Sequence, residues 1–232
     1  MPQVKTHLAI IVPVYNEGKV IRKVINTLPK RLAGVGKISV IAVDDGSSDN
    51  SEEEISKTEA VLIPHPINLG AGTATVTGIE AAKKINADII VTFDGDGQHD
   101  PGDIGKLIKP IQEKKADLVI GTRLKNPKGM PKIKRVGNWG LNFITFLLSK
   151  RWTSDSQSGF KALSRKATEL INIDAIGYEF CSQIIIESSR MKLKVKEVPV
   201  KVIYTKYSNR KGQSILNGIN ILWKLIFKKV TG

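Results

Sequence analysis

Between residues 8 and 121, short apolar runs alternate with segments of helical spacing, and this alternation is what most limits the fold. Residues 8–14 form an apolar run that predicts a strand. Val20, Ile21, Val24, Ile25 and Leu28 then recur on one helical face, and Pro29 marks the stop. Residues 38–43, 60–63, 88–93 and 117–121 read as further strands, with helices predicted over 51–57, 70–84 and 103–114. A strand-helix order of this kind requires a largely parallel sheet with helices packed on it, a Rossmann-like α/β domain. Ligands of such sheets bind beyond the C-terminal ends of the strands. Past residue 124 the pattern is less regular: a mobile Lys/Pro/Gly-rich loop over 125–132, helices over 133–150 and 180–190, and an alternating strand over 194–204. A last helix is expected over 214–229. At 232 residues and 41% hydrophobic composition the chain can bury one sizeable core, which excludes global disorder.

The unusual residues fall at the predicted strand ends. Phe93-Asp94-Gly95-Asp96-Gly97-Gln98-His99 follows the strand over 88–93, so Asp94, Asp96 and Gln98 emerge together. Three oxygen-bearing side chains in alternation suit a hard divalent ion, Mg²⁺ or Mn²⁺, that also binds diphosphate oxygens. An EF-hand is excluded, because its sixth position would be His99 rather than glycine and its twelfth Gly105 rather than glutamate. A simple Asp/Gly turn is the plainer alternative. Asp44-Asp45-Gly46-Ser47 ends the previous strand. A carboxylate there can accept from a nucleobase or ribose, or it can belong to an ordinary turn with Asp49 or Ser51 capping the next helix. Asn68-Leu69-Gly70-Ala71-Gly72 opens a helix without the Gly-Lys-Ser/Thr of a P-loop. Gly70 can face a phosphate or sugar there, or simply allow close packing. Cys181, the single cysteine, excludes an internal disulfide and fits a reducing compartment.

Together with Pro13-Val14-Tyr15-Asn16-Glu17, Gly121-Thr122-Arg123 and Asp155-Ser156-Gln157-Ser158-Gly159-Phe160, these clusters resemble the family 2 glycosyltransferases of GT-A fold. Within that family the chain is similar to polyprenyl-phosphate (dolichol-phosphate) mannosyl- and glucosyltransferases. The resemblance implies a mixed, mainly parallel sheet flanked by helices. The transferase domain would span residues 1–213, with 1–123 for the nucleotide sugar and metal, 124–213 for the acceptor, and an amphipathic helix over 214–232. It implies inverting transfer of a hexose from GDP-mannose or UDP-glucose to a polyprenyl phosphate. Pro13, Tyr15, Glu17 and Asp45 would line the nucleoside pocket, with Asp94, Asp96 and Gln98 on the metal and donor diphosphate. Arg123, with Arg135, Lys134 and Asn138, would meet the acceptor phosphate, because a guanidinium fork pairs with phosphate oxygens at two points. Asp155 would orient the site more than abstract a proton, since a phosphate acceptor is already ionised. Transfer to a saccharide or another lipid remains open, as does a non-catalytic membrane-surface or nucleic-acid-binding protein on the same fold. Stacking aromatics are sparse among the basic residues, so no nucleic-acid partner is expected.

The net charge of +14 is segregated. Residues 123–151 carry eight Lys/Arg and no acid, and residues 190–232 carry eleven against Glu197. An anionic partner is implied. No run reaches the ~18–20 apolar residues of a spanning helix. The helices over 214–229 and 133–151 place apolar and basic residues on different faces, as interfacial anchors do; packing on the sheet is the alternative for both. The expected location is peripheral, on the cytosolic face of a membrane, where a separate membrane subunit can join it.

Overall fold

A computed structural model describes residues 6–123, 132–174 and 176–203, the side chains of 132–136 excepted. Seven strands form one sheet: β1 (Thr6–Val14), β2 (Val35–Asp44), β3 (Val61–Pro64), β4 (Ile89–Thr92), β5 (Leu118–Thr122), β6 (Lys161–Ser164) and β7 (Val195–Pro199). Their order is β3-β2-β1-β4-β6-β5-β7. All run parallel except β6, which is antiparallel to both β4 and β5. The helices are α1 (Ile21–Thr27), α2 (Ser51–Ser56), α3 (Ala71–Lys84), α4 (Ile104–Gln112), α5 (Lys132–Ser149), α6 (Arg165–Leu170) and α7 (Phe180–Arg190).

The unbroken apolar run of β1 follows from burial on both faces. Leu8, Ile10 and Val12 pack with α1 and α4, while Ala9 and Ile11 pack with Ala74, Ile79 and Ala82 of α3. Ile104, Leu107, Ile108 and Ile111 turn one stripe of α4 onto the sheet, and each buried aliphatic side chain contributes about 1.5–3 kcal/mol. A further cluster joins Leu118, Ile120 and Leu163 to Phe180, Ile184 and Ile185 of α7. Strand order reverses at β1, which has β2 on one side and β4 on the other. The crevice for a ligand lies at such a switch point, where Pro13–Glu17 and Asp94–Gln98 emerge.

The β-α alternation through residue 122 matches the sequence expectation, with element ends shifted by a few residues. Two elements were not expected, β6 and α6. The strand expected over 194–204 is shorter, ending at Pro199, with an isolated bridge from Val202 to His99 beyond it. Among the described residues no helix is long and apolar enough to cross a membrane. The loop expected over 125–132 lies, but for Lys132, outside the described residues, as does the whole helix expected over 214–229.

Candidate functional site

Two loops at adjacent strand ends are stapled to each other. After β1, Asn16 adopts a left-handed φ of 54°, a conformation asparagine tolerates. Its backbone N–H donates to Ser47 Oγ at 2.9 Å, and its side-chain oxygen accepts from Ser48 N at 2.8 Å. Glu17 N donates to Ser51 Oγ at 2.8 Å and Gly18 N to Asp49 Oδ2 at 3.0 Å. Asp49 and Ser51, read in the sequence as possible helix caps, therefore hold the Tyr15–Gly18 turn in place. Tyr15 projects half exposed from this turn, and Glu17 is buried within it. Beside the turn, at the ends of β2 and β3, lies a hollow of about 420 Å³ lined by Asp44, Ser47, Glu52, His65 and Pro66 among others.

Asp45 is buried, and its carboxylate is spent on protein groups. Leu69 N donates to Oδ1 at 3.0 Å, Gly70 N to Oδ2 at 2.8 Å, and His65 Nδ1 lies 2.8 Å from Oδ1. Gly72 N and Thr73 N donate to the Ile176 carbonyl at 2.7 and 3.2 Å. Gly70 sits at a φ of 97°, and a side chain there would strike the Ile176 carbonyl. Of the two readings of the Gly-rich turn, close packing is the one this geometry displays. His65, which also meets Thr77 Oγ1 at 3.0 Å, carried no sequence signal beyond its place one residue after β3.

Asp94 and Asp96 leave β4 side by side. His99 Nε2 lies 2.8 Å from Asp94 Oδ2, and Gln98 N donates to Asp96 Oδ1 at 2.9 Å. The His99 ring is buried against Phe93 and Phe160, with centroids 5.7 and 4.8 Å away. Burial alone would push the Asp94 carboxyl up, but the His99 hydrogen bond and the charges of His99, Arg123 and Lys161 hold it below the ordinary carboxylate range. Burial, reinforced by the Asp94 charge, pushes Asp96 up to about 6. Two carboxylates forced together in this way fit a divalent cation, whose charge would relieve the repulsion. Among the described residues no cluster of three or more His, Cys, Asp or Glu forms a protein cage for a metal. A hard ion held at two carboxylates completes its shell with phosphate and water oxygens, as Mg²⁺ does.

At the end of β5 the arrangement is different. Arg123 grips the buried Asp155 at three points: backbone N to Oδ2 at 2.9 Å, Nε to Oδ2 at 2.7 Å and Nη2 to Oδ1 at 2.7 Å. Burial alone would raise the Asp155 carboxyl, but the Arg123 charge and hydrogen bonds, with Lys161, hold it below the ordinary range. Asn142 of α5 brackets this aspartate, donating to Ser154 O at 2.7 Å and accepting from Ser156 N at 2.8 Å. Ser154 is held further by Glu197 of β7 and by Thr122. Asn138 lies partly buried on α5, and the side chains of Lys134 and Arg135 fall outside the described residues. Asn142, Glu197 and the fully buried Lys161 were not picked out from the sequence.

The sequence pattern described as Glycosyl transferase family 2 matches residues 9–171, more than half of the chain. The chain is a family 2 glycosyltransferase. The transferase is 41% identical over 243 residues to a UDP-N-acetylglucosamine--dolichyl-phosphate N-acetylglucosaminyltransferase of Methanococcus voltae, covering 95% of each chain. It is 29% identical to the dolichol-phosphate mannosyltransferase of Pyrococcus furiosus, covering 92% of this chain and 60% of that one. Its fold superposes with a TM-score of 0.72 on glucosyl-3-phosphoglycerate synthase of Mycobacterium tuberculosis in complex with Mn²⁺, UDP and phosphoglyceric acid, at 19% identity over 96% of this chain and 78% of that one. The GT-A architecture expected from the sequence is thus the observed one.

The helix α5 has two unlike faces. Leu141, Asn142, Thr145 and Ser149 turn inward, with Thr145 Oγ1 2.9 Å from Ser182 Oγ of α7. Trp139, Phe143 and Leu147 are exposed, the first two rings stacked 6.0 Å apart. One face of this helix packs on α7, and the other presents an aromatic stripe.

Proposed function

We propose that this glycosyltransferase moves a sugar from a nucleotide donor to a polyprenyl (dolichyl-type) phosphate at a membrane surface, with inversion at the anomeric carbon. The observation that carries this reading is the Arg123–Asp155 pair. A saccharide acceptor needs a carboxylate able to take its proton. Asp155 is instead locked in an ion pair and held below the ordinary range, so it is a poor base. Its grip fixes the Arg123 guanidinium where the charge reaches Asp94, and a fixed cation there suits an acceptor that arrives already ionised.

In this reading Pro13, Tyr15 and Glu17 border the nucleoside, next to the hollow at Ser47 and His65. Asp45 shapes that region by holding the turn at Leu69 and Gly70. Asp94 and Asp96, with Gln98, would hold Mg²⁺ or Mn²⁺, which when bound neutralises charge gathering on the leaving diphosphate. Arg123 meets the acceptor phosphate, with Arg135, Lys134 and Asn138 assigned to the same side. The sequence pointed to GDP-mannose or UDP-glucose. The named activity of the M. voltae relative puts UDP-N-acetylglucosamine first among the donors to be tried. The stripe at Trp139 and Phe143, the basic residues of 123–151 and the helix expected over 214–229 would meet anionic lipid on the cytosolic face.

The test incubates UDP-N-acetylglucosamine, UDP-glucose and GDP-mannose with the protein and Mn²⁺ or Mg²⁺, with and without polyprenyl phosphate. The expected result is a glycosyl polyprenyl phosphate detected by mass spectrometry and nucleotide release that depends on the lipid. Equal release without the lipid, or transfer to an added saccharide instead, would contradict the assignment.

A further inference from the structure

Lys161, the first residue of β6, has no exposed surface. It pairs in register with Thr92 of β4 on one side and Ile120 of β5 on the other. It therefore lies directly beneath the gap between the donor carboxylates and Arg123. Its ammonium donates to the carbonyl of Ser158 and lies 3.4 Å from that of Ser156. The carboxylates nearest its charge, Asp94 and Asp155, are in contact with His99 and Arg123 instead. Burying an ammonium without a carboxylate in contact costs several kcal/mol, and a methionine of similar length would fill the same space.

The two carbonyls belong to the loop that joins both halves of the site. At one end of that loop Asp155 grips Arg123. At the other, Gly159 lies so close to Asp94 that an added methyl group would overlap its carboxylate. The Gly159 carbonyl accepts from Thr92 Oγ1 at 2.5 Å. We infer that Lys161 is a positioning residue for the transfer reaction, its buried ammonium tying the backbone of residues 156–158 so that one loop sets Asp155 on Arg123 and Gly159 beside Asp94. The catalytic part of this inference rests on the proposed function; the tether does not.

Lys161→Met and Lys161→Arg in the full chain test it. Hydrogen exchange across residues 155–160 needs no substrate and reads the tether. Turnover with UDP-N-acetylglucosamine and polyprenyl phosphate, and UDP affinity with Mn²⁺ by calorimetry, read its consequence. Lys161→Met should speed loop exchange at least about tenfold and lower kcat roughly 30- to 100-fold, with UDP affinity held within about threefold. Lys161→Arg, which keeps charge and donors, should recover loop protection and most of kcat. If Lys161→Met yields no folded protein, Lys161→Gln, which keeps a donor without the charge, is read by the same criteria. A folded variant with wild-type loop exchange, or one that merely melts earlier while keeping wild-type kcat, would overturn the inference. Absence of transfer by the wild type would refute the functional reading instead, with loop exchange still deciding the tether.

Discussion

At the end of β4 the two carboxylates come from a single turn, whereas at the end of β5 Arg123 meets an aspartate that follows it by 32 residues. The first arrangement is local. Asp94 and Asp96 alternate along a chain leaving a strand, and Gln98 N folds back onto Asp96. The second is assembled from four elements, with Asp155 placed by Asn142 of α5, by Glu197 of β7 through Ser154, and by Lys161 of β6. In the proposed reading these are the donor and acceptor sides, and the comparison teaches that the two have different vulnerabilities. The donor side should fail chemically when a side chain is removed and remain folded. The acceptor side should lose stability as well, because its charge is embedded in a buried polar network.

The largest effect that could break this contrast is expected at Asp96. Asp96→Ala should lower kcat/KM by at least ~10³-fold while relieving, not creating, a repulsion with Asp94. Its thermal midpoint, followed by circular dichroism, should stay at or above that of the wild type. A melting point several degrees lower would place Asp96 in the structural network and erase the contrast.

Next comes Asp155→Ala, which strands a mostly buried guanidinium and should cost about 3–5 kcal/mol in urea unfolding. The pH dependence sharpens the assignment. A carboxyl held below its ordinary value contributes stability that is present above the unfolded pKa of about 3.9 and lost as pH falls through the folded value. The gap between wild type and Asp155→Ala should therefore stay constant down to about pH 4 and close below it. A gap that widens on acidification would contradict the depressed carboxyl.

Asn142→Ala should be milder. Removing one amide that satisfies two backbone groups beside Asp155 costs about 1–3 kcal/mol, and the accompanying fall in kcat should exceed any change in UDP affinity. The smallest effect on stability is expected at Trp139→Ser, on the exposed face of α5. It should alter unfolding by less than about 0.5 kcal/mol and yet reduce sedimentation with anionic liposomes. Unchanged liposome binding would remove α5 from the membrane-facing surface.

The same division explains what could be read from the sequence. The parallel half was legible, because runs such as 8–14 and 88–93 are buried on both faces and end in acidic turns. The metal-side candidates needed only alternation after a strand. β6 was not legible, being four residues long and opening on a lysine, a residue that gives no sign of burial at a sheet centre. Its antiparallel insertion between β4 and β5 was hidden with it. Arg123 and Asp155 were each singled out, but their contact spans an 18-residue helix and depends on tertiary packing alone. His99 was read as part of the acidic motif and as failing a calcium loop, with no role of its own, although its ring contacts Asp94. The nucleoside-side expectation for Asp45 came from the resemblance and its place at a strand end, neither of which reveals that its oxygens hold Leu69 and Gly70.

The separation of donor from acceptor is tested most directly by calorimetry of UDP with Mn²⁺ on three proteins: wild type, Asp96→Ala and Arg123→Lys. The lysine keeps a positive charge opposite Asp155 but loses the two-point pairing with its carboxylate. The account predicts that Asp96→Ala loses UDP binding by at least about 100-fold and that Arg123→Lys stays within about threefold of the wild type, with an increased KM for polyprenyl phosphate and a lowered melting point as its defects. Equal loss of UDP affinity in the two variants would contradict it.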